Sequence, residues 1–298
     1  MHGNSSLLIQ MKPCERLNQE TNITTIMKKI FFNSSLPRSG STLISNLIAQ
    51  NPEFYATPTS GLSDLVLSAK NSYAHSQAIL SQDKEAMEKA FLGFCRAGMQ
   101  GFFNNLTPKE FIVDKSRDWG IHYNLLNLLY PEPKIICMVR DVRAVYASME
   151  KNFRKNPHKE SHIQNAPQLI GTTLDKRINI WADGVPVGIA LDRLKDVIQQ
   201  GLDKKILFIR YEDLMANPEN EMKRLYEYLG QPYYDKHDFE NITQHTHEND
   251  AIHGIYGDHQ LRPKFERLPD DFYDVLGYEL CQSIKNTYAW FYKYFAYL

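Results

Sequence analysis

Short apolar runs alternate with helix-like patterns along this chain, and this alternation restricts its fold more than any other feature. The first run covers residues 29–36, and Leu43, Ile44, Leu47 and Ile48 follow it at helical spacing. Strands that alternate with helices pair in parallel through right-handed crossovers. The pattern therefore predicts an α/β fold, with a parallel sheet of the P-loop type flanked by helices.

The later elements continue the same alternation. The run KIICMV is nearly continuously apolar, as expected for a strand that is covered on both faces. In such sheets the loops at the carboxyl ends of the strands form the functional sites. Strands are expected at residues 111–113, 134–139 and 205–209, and helices at residues 62–80, 83–103 and 119–129 and from Val142 onward. Residues 167–200 are expected to be mostly helical, with a break or bend at Gly184, Pro186 and Gly188.

The sequence gives no reason to divide the chain into several globular parts. It contains no internal repeat, low-complexity tract or linker, so we expect residues 27–298 to form a single domain. Residues 1–26 are polar and irregular, and Met27 stands directly before the first strand-like run. We therefore expect residues 1–26 to be an irregular extension outside the fold.

Charge and hydropathy narrow the classes of partner. The formal net charge is -1, so no global basic field exists to hold nucleic acid or an anionic membrane, and any anion site must be local. No apolar run approaches the length that spans a bilayer. The four cysteines lie far apart and in no metal-ligand spacing. We expect a cytoplasmic protein that binds neither nucleic acid nor membrane, and the sequence leaves its oligomeric state open.

The loop LPRSGST at residues 36–42 joins the first strand to the first helix. Free backbone N–H groups and the helix dipole favour an anion at such a junction, although a well-capped helix after a tight turn has the same pattern. Serine replaces the lysine that a nucleoside triphosphatase loop requires, which favours a less charged 5′ group such as a phosphosulfate. The predicted phosphate-binding residues of this loop are Arg38, Ser39, Gly40, Ser41 and Thr42.

A second phosphate site is predicted after the strand at residues 134–139. Arg140 stands at the junction with the next helix, and Ser148 lies about two turns into that helix. An arginine and a hydroxyl in this arrangement can bind one phosphate. The alternative for Arg140 is a salt bridge with the neighbouring Asp141.

With these two sites, the sequence resembles the sulfotransferases that use 3′-phosphoadenosine 5′-phosphosulfate (PAPS), and most of all their tyrosylprotein and bacterial branches. The resemblance covers roughly residues 28–267 and implies the sulfotransferase fold. It implies that the PRSG loop holds the 5′-phosphosulfate and that Arg140 and Ser148 hold the 3′-phosphate. The segment IRYEDL is similar to the family segment whose tyrosine, here Tyr211, lies near the adenosine. The segment KFER is similar to a loop that closes over the nucleotide through a lysine, here Lys264.

The resemblance also implies catalytic residues. Lys115 follows the second predicted strand and aligns with the catalytic lysine of the tyrosylprotein branch, and we expect Lys115 and Arg38 to balance charge on the leaving oxygen. The glutamate that related enzymes use as a base, about twenty residues past the PRSG loop, is missing, because Thr57, Pro58, Thr59 and Ser60 occupy that region. Asp64, on the next helical turn, is the predicted substitute, with an exposed helical carboxylate as the alternative.

These expectations define a sulfotransferase that moves a sulfuryl group from PAPS to a hydroxyl or amine of a small-molecule acceptor, releases 3′-phosphoadenosine 5′-phosphate (PAP) and needs no metal. A P-loop kinase and a catalytically silent PAP- or PAPS-binding protein are the alternatives. The histidines of the polar stretch near residue 250 match no zinc motif, so we expect them in a solvated loop or lining the acceptor site. They are His245, His247, His253 and His259.

Overall fold

The computed structural model describes residues 27–155, 166–250, 259–262, 265–266 and 271–297. The described residues form a five-stranded sheet in which every paired strand is parallel and the order is β2-β3-β1-β4-β5. The predicted α/β fold, a parallel sheet flanked by helices, is confirmed. The strands are β1 (Lys29–Asn33), β2 (Phe54–Thr59), β3 (Phe111–Lys115), β4 (Ile135–Val139) and β5 (Ile206–Arg210).

Helices connect the strands and follow the last of them. The longest, α4, begins after Asp83, whose side chain accepts a hydrogen bond from the Ala86 amide and so caps the helix. Two 3₁₀ helices lie at Trp119–His122 and Leu202–Lys205. The α-helices are α1 (Ser41–Ala49), α2 (Leu62–His75), α3 (Gln77–Leu80), α4 (Lys84–Leu106), α5 (Tyr123–Leu129), α6 (Val142–Lys155), α7 (Ala166–Leu169), α8 (Leu174–Asp183), α9 (Val187–Gln199), α10 (Tyr211–Ala216), α11 (Pro218–Leu229), α12 (Phe272–Leu276), α13 (Tyr278–Thr287) and α14 (Ala289–Tyr294).

Both faces of the sheet are buried under helices. Successive strand residues point to opposite faces, so Phe32 packs with the core formed by α4, α5, α6 and α9, whereas Phe31 packs with the core formed by α1 and α11. The interior strand β4, between β1 and β5, is buried at every position. This double cover explains why β4 appears in the sequence as a continuous apolar run.

One strand was missed by the sequence analysis. Strand β2 (FYATPT) lies at the edge of the sheet, and among the described residues it pairs only with β3. Its Pro58 cannot donate a backbone hydrogen bond, which an edge strand tolerates because one side has no partner strand. The proline and the threonines gave it the composition of a loop.

One predicted helix is interrupted, and another segment divides where a break was predicted. The helix expected at residues 62–80 breaks at Ser76, which has an extended backbone between α2 and α3. The mostly helical segment at residues 167–200 divides at Gly184 and Pro186, as predicted, with α8 ending before Gly184 and α9 beginning after Pro186. Glycine and proline interrupt the helical hydrogen bonding there. The predicted extension at residues 1–26 lies outside the described residues.

The sheet brings the predicted motifs to one edge. The loop after β1, Lys115 at the end of β3, Arg140 after β4 and Tyr211 after β5 all lie at carboxyl ends of parallel strands. In the register of the sheet, Lys115 pairs with Asn33, the last residue of β1. The catalytic lysine expected from the sequence is thus beside the strand that leads into the phosphate loop.

Candidate active site

The loop between β1 and α1 has an unusual backbone. Arg38 has a φ of 57° and Gly40 a φ of 94°, so two residues of the loop adopt positive φ. A concave arrangement of backbone N–H groups in such loops binds anions, and the amino terminus of α1 follows directly at Ser41. Ser39 is fully buried, and its hydroxyl donates to the carbonyl of Leu36 at 2.6 Å. The side chain of Ser39 therefore fixes the shape of the loop.

Gly40 is required at its position for two reasons. Its positive φ is strained for any residue with a side chain, and a Cβ atom there would lie 2.9 Å from a ring carbon of Tyr211. The missing side chain thus allows the ring of Tyr211 to pack directly against the phosphate loop. This contact joins the segment after β5 to the segment after β1.

Arg140, Arg38 and Ser148 converge in front of the loop. The Arg140 Nη1 donates to the backbone carbonyl of Arg38 at 3.2 Å, and the Arg38 Nε donates to the Ser148 hydroxyl at 3.1 Å. The guanidinium of Arg140 lies 4.3 Å from the centre of the Tyr211 ring. The Asp141 Oδ2 lies 2.5 Å from the Arg143 Nη2, so the Asp141 carboxylate forms an ion pair with Arg143.

The Nε of Arg140 is an unusual atom of this cluster. It is buried and has no hydrogen-bond partner among the described residues. Leaving a buried donor of a charged group unpaired costs free energy. A guanidinium with an unused donor beside a phosphate loop is suited to an anionic ligand.

The converging residues line one cleft with a volume of about 180 Å³. Its walls combine four arginines with hydroxyl groups and apolar side chains, a mixture suited to a nucleotide with phosphate groups. The lining includes most of the nucleotide-binding residues predicted from the sequence. The residues are Pro37, Arg38, Gly40, Ser41, Thr42, Leu43, Arg117, Arg140, Ser148, Tyr211, Met215, Ile242, His259, Gln260, Leu261, Arg262, Phe265 and Glu266.

Lys115 is buried at the end of β3, next to this cleft. Its Nζ lies 3.6 Å from the Glu248 Oε2, and both side chains are less than a tenth exposed. Burial lowers the pKa of the Lys115 ammonium, whereas the charge of Glu248 acts to raise it. The backbone N–H of Lys115 donates to the Thr57 hydroxyl at 2.8 Å, which attaches the lysine to the edge strand β2.

Glu248 lies beside Lys115, and the sequence did not single it out as a site residue. Its Oε2 accepts a hydrogen bond from the Thr59 amide at 3.0 Å and lies 3.6 Å from the His259 Nε2. The His259 Nδ1 lies 2.6 Å from the Asp250 Oδ1. Neither helical nor strand periodicity marks the stretch that contains Glu248, so no sequence signal pointed to it.

The other predicted residues differ in their positions. Asp64 is exposed in the first turn of α2, and none of the hydrogen bonds or ion pairs found for the described residues joins it to Lys115. Lys264 and His253 lie outside the described residues. His259 lines the same cleft as Arg140, whereas His245 and His247 are exposed, and a role of these histidines at the acceptor site stays a prediction.

Two kinds of feature are absent from the described residues: a cluster of metal-binding side chains and a membrane-spanning helix. No group of three or more histidine, cysteine, aspartate or glutamate side chains in the described part of the chain could hold a metal ion. Among the same residues, no helix has the length and apolar character needed to cross a membrane.

Comparison with known proteins identifies relatives by sequence and by fold. Nodulation protein NoeE of Sinorhizobium fredii is 23% identical over 214 residues, which are 67% of this chain and 50% of that protein. The chain thus spans about half the length of this curated relative. The sulfotransferase domain from the curacin biosynthetic pathway is similar in fold, with a TM-score of 0.52 and 18% identity over 89% of this chain and 98% of that domain.

The family comparison covers the part of the chain that forms the sheet and the phosphate loop. Residues 31–235 match the model of the sulfotransferase family. This range is more than half of the chain and includes Arg38, Lys115, Arg140, Ser148 and Tyr211. The chain belongs to the sulfotransferase family.

Proposed function

We propose that this protein transfers a sulfuryl group from PAPS to a hydroxyl or amine of a small-molecule acceptor. The observation that carries the proposal is the convergence of Arg38, Arg140, Ser148 and Tyr211 around the loop after β1. Two arginines and the amino terminus of a helix give this cleft several donors for phosphate oxygens, although the net charge of the whole chain is only -1. The donor site is therefore a local anion site.

The residues present fit such a donor. The loop at residues 38–42 would hold the 5′-phosphosulfate, while Arg140 and Ser148 would hold the 3′-phosphate. The buried and unpartnered Nε of Arg140 offers a donor that a phosphate oxygen would satisfy. The Tyr211 ring, packed against Gly40 and Arg140, would lie beside the adenosine.

The donor supplies an activated sulfuryl group whose transfer places negative charge on the bridging oxygen of the leaving phosphate. Lys115 and Arg38 are the cations that we assign to that charge, because preorganised positive groups stabilise developing charge in a water-poor site. Lys115 is attached to β2 through Thr57 and to β1 through the sheet register. These attachments fix the backbone of Lys115 at the end of β3.

A nucleoside triphosphate is the less suitable ligand for this loop. Ser41 stands where the loop of nucleoside triphosphatases has the lysine that reaches the β- and γ-phosphates. A phosphosulfate has fewer charges than a triphosphate and does not need that lysine. This feature favours sulfuryl transfer over the kinase alternative.

The thiols of the described residues agree with a reducing compartment. Cys95, Cys137 and Cys281 are buried free thiols. Free thiols persist where glutathione keeps them reduced. They support our proposal that the protein acts in the cytoplasm.

Ligand-dependent stabilisation tests the proposed donor. PAP without magnesium should raise the melting temperature, because a ligand that binds only the native state stabilises it by about 2.7 kcal/mol at a hundred times its Kd. Magnesium-ATP should stabilise the protein much less. Equal or stronger stabilisation by magnesium-ATP would contradict the assignment and favour the kinase.

A transfer assay tests the reaction. The protein is incubated with ³⁵S-labelled PAPS and the small-molecule fraction of a cell extract, and labelled products are separated and counted. We expect label in at least one metabolite that gains the mass of a sulfuryl group. Binding of PAP with no transfer to any fraction would instead identify a silent nucleotide-binding protein.

A further inference from the structure

The proposed reaction needs a group that removes a proton from the acceptor, and the sequence offers no carboxylate directly after β2. The structure brings a carboxylate to that place from a distant segment. The Thr59 amide, at the end of β2, donates to the Glu248 Oε2 at 3.0 Å across 189 positions of sequence. Glu248 therefore lies where β2 ends, although it follows β5 in the chain.

The same carboxylate oxygen contacts the proposed catalytic cation. The Lys115 Nζ is 3.6 Å from the Glu248 Oε2, and both side chains are almost fully buried. Burying a carboxylate and an ammonium removes both from water, and the free-energy cost of this desolvation can exceed the gain from their attraction. Stability alone is therefore a poor explanation for this pair. The position of this pair at the carboxyl ends of β2 and β3 favours a functional role.

His259 connects the carboxylate to the cleft. Its Nε2 lies 3.6 Å from the Glu248 Oε2, and its ring lines the cleft together with Arg38 and Arg140. The Asp250 Oδ1, 2.6 Å from the Nδ1 of His259, fixes the orientation of the ring. Glu248 is thus one side chain away from the cleft wall and next to the cation that we assign to the leaving group.

We propose that Glu248 is the base that removes the acceptor proton during sulfuryl transfer. The inference rests on the proposed function, which supplies PAPS as the sulfuryl donor. In this step a Glu248 oxygen takes the proton of the acceptor hydroxyl or amine, and the electron pair of the acceptor atom forms the new bond to sulfur. The bond between sulfur and the bridging oxygen breaks, and its electron pair stays on the phosphate of PAP.

The electrostatics of the pair suit this role. Burial acts to raise the pKa of Glu248, but the charge of Lys115, the Thr59 amide and His259 outweigh it, so the pKa lies below its ordinary value. Glu248 is consequently ionised at neutral pH and able to accept a proton. If the ammonium of Lys115 turns toward the leaving oxygen, Glu248 loses part of this stabilisation and becomes a stronger base.

Asp64 is the competing candidate, and the two carboxylates differ in their surroundings. Asp64 is exposed to solvent in α2, whereas Glu248 is buried between Thr59, Lys115 and His259. The groups with charge or a titratable proton around Glu248 are Lys115 from β3 and His259 and Asp250 from its own segment. A buried carboxylate beside a cation can hold a proton acceptor in a fixed position, which an exposed helical side chain does not.

The deciding experiment compares Glu248→Gln with Asp64→Asn in single-turnover transfer from ³⁵S-labelled PAPS to the small-molecule fraction of a cell extract. General-base groups contribute about 10²- to 10⁴-fold, so Glu248→Gln should slow transfer by about 10²-fold or more while PAP affinity stays within about threefold. Asp64→Asn should transfer normally. The matched control is Glu240→Gln, an exposed carboxylate of the same segment, which should also transfer normally.

Two further measurements separate a base from a structural residue. The rate of single-turnover transfer should fall at acid pH in the wild type as Glu248 is protonated, and this fall should disappear in Glu248→Gln. In Lys115→Met the fall should move to higher pH, because the charge of Lys115 lowers the pKa of Glu248. Formate should restore part of the transfer in Glu248→Ala, because it supplies a small carboxylate to the vacated space. Glu248→Asp keeps the charge beside Lys115 but withdraws the carboxylate by one methylene, so it should bind PAP and still transfer slowly.

The possible results separate the role of Glu248 from the proposed sulfotransferase function. Near-normal transfer by Glu248→Gln, or parallel losses of transfer and PAP affinity without formate rescue, would overturn the role of Glu248 and leave the sulfotransferase assignment intact. A large loss in Asp64→Asn together with normal transfer in Glu248→Gln would assign the base to Asp64. If the wild type transfers nothing from PAPS, the proposed function fails and this inference fails with it.

Discussion

Asp114, the residue before the proposed catalytic lysine, makes the stability of the fold depend on pH. Its side chain is completely buried in β3, where it accepts hydrogen bonds from the Trp119 Nε1 at 2.8 Å and the Thr57 hydroxyl at 3.3 Å. Burial raises the pKa of this carboxyl from 3.8 to about 6 despite these hydrogen bonds. The folded state therefore binds a proton here more tightly than the unfolded chain does.

The sign and size of the effect follow from linkage. Because the folded pKa lies above the unfolded one, this group's stabilising contribution is fully present below pH 3.8 and is lost as pH rises through about 6. The two pKa values differ by roughly two units, and each unit corresponds to about 1.4 kcal/mol. Asp114 should therefore lower the free energy of unfolding by about 3 kcal/mol in total as the pH rises from well below 3.8 to well above 6.

Asp114→Asn tests this value. Asparagine removes the charge and keeps one acceptor oxygen for Trp119, but its amide group replaces the oxygen that Thr57 contacts, at a cost of about 1 kcal/mol. The variant should be more stable than the wild type at pH 7.5 by about 2 kcal/mol and should show a flatter dependence on pH between 4 and 6.5. Urea denaturation followed by tryptophan fluorescence over that pH range measures both quantities.

An exposed carboxylate provides the control for Asp114→Asn. Asp196→Asn removes an exposed carboxylate on α9 and should leave the pH dependence unchanged. If Asp114→Asn is no more stable than the wild type at pH 7.5 and keeps the wild-type slope, the buried carboxyl is not penalised by ionisation, and the reasoning from its burial is wrong.

Two further substitutions test the nucleotide site and the leaving-group cation. Arg140→Ala should weaken binding of PAP more than binding of adenosine 5′-phosphosulfate, since only PAP has a 3′-phosphate, and Ser148→Ala should do the same to a smaller extent. Calorimetry measures both affinities. Equal losses for the two ligands would mean that these residues support the fold and do not bind the 3′-phosphate. Lys115→Ala should lower single-turnover transfer by about 10²-fold or more while PAP affinity changes little, and Lys115→Arg should rescue poorly because a planar guanidinium places its protons differently. Near-normal turnover of Lys115→Ala would leave Arg38 and the loop amides as the stabilising groups.

The parts of the fold that the sequence predicted are those in which local pattern and tertiary burial agree. Strands β1, β3, β4 and β5 are apolar because helices cover both faces of the sheet, so their composition identified them. The motifs predicted to bind phosphate lie at strand ends, as expected, because parallel sheets gather those ends at one edge. Strand β2 was missed because an edge position relaxes the requirement for apolar side chains and tolerates Pro58.

The contacts around Glu248 could not have been predicted in the same way. The hydrogen bond from Thr59 to Glu248 joins two segments without strand or helix periodicity that lie 189 positions apart. No local propensity specifies such a contact, because it depends on where the chain passes after α11. The sequence did indicate that a carboxylate was missing after β2, and the structure supplies one from elsewhere.

The proposed base lies outside the part of the chain that matches the family model. Residues 31–235 match the sulfotransferase family and include the arginines, the hydroxyls and the lysine that we assign to the donor, whereas Glu248 and His259 lie beyond that range. The later segment nevertheless reaches the donor cleft, because His259 and Phe265 line it together with Arg140. A base supplied by this segment would therefore act beside the donor, although the family match does not include it.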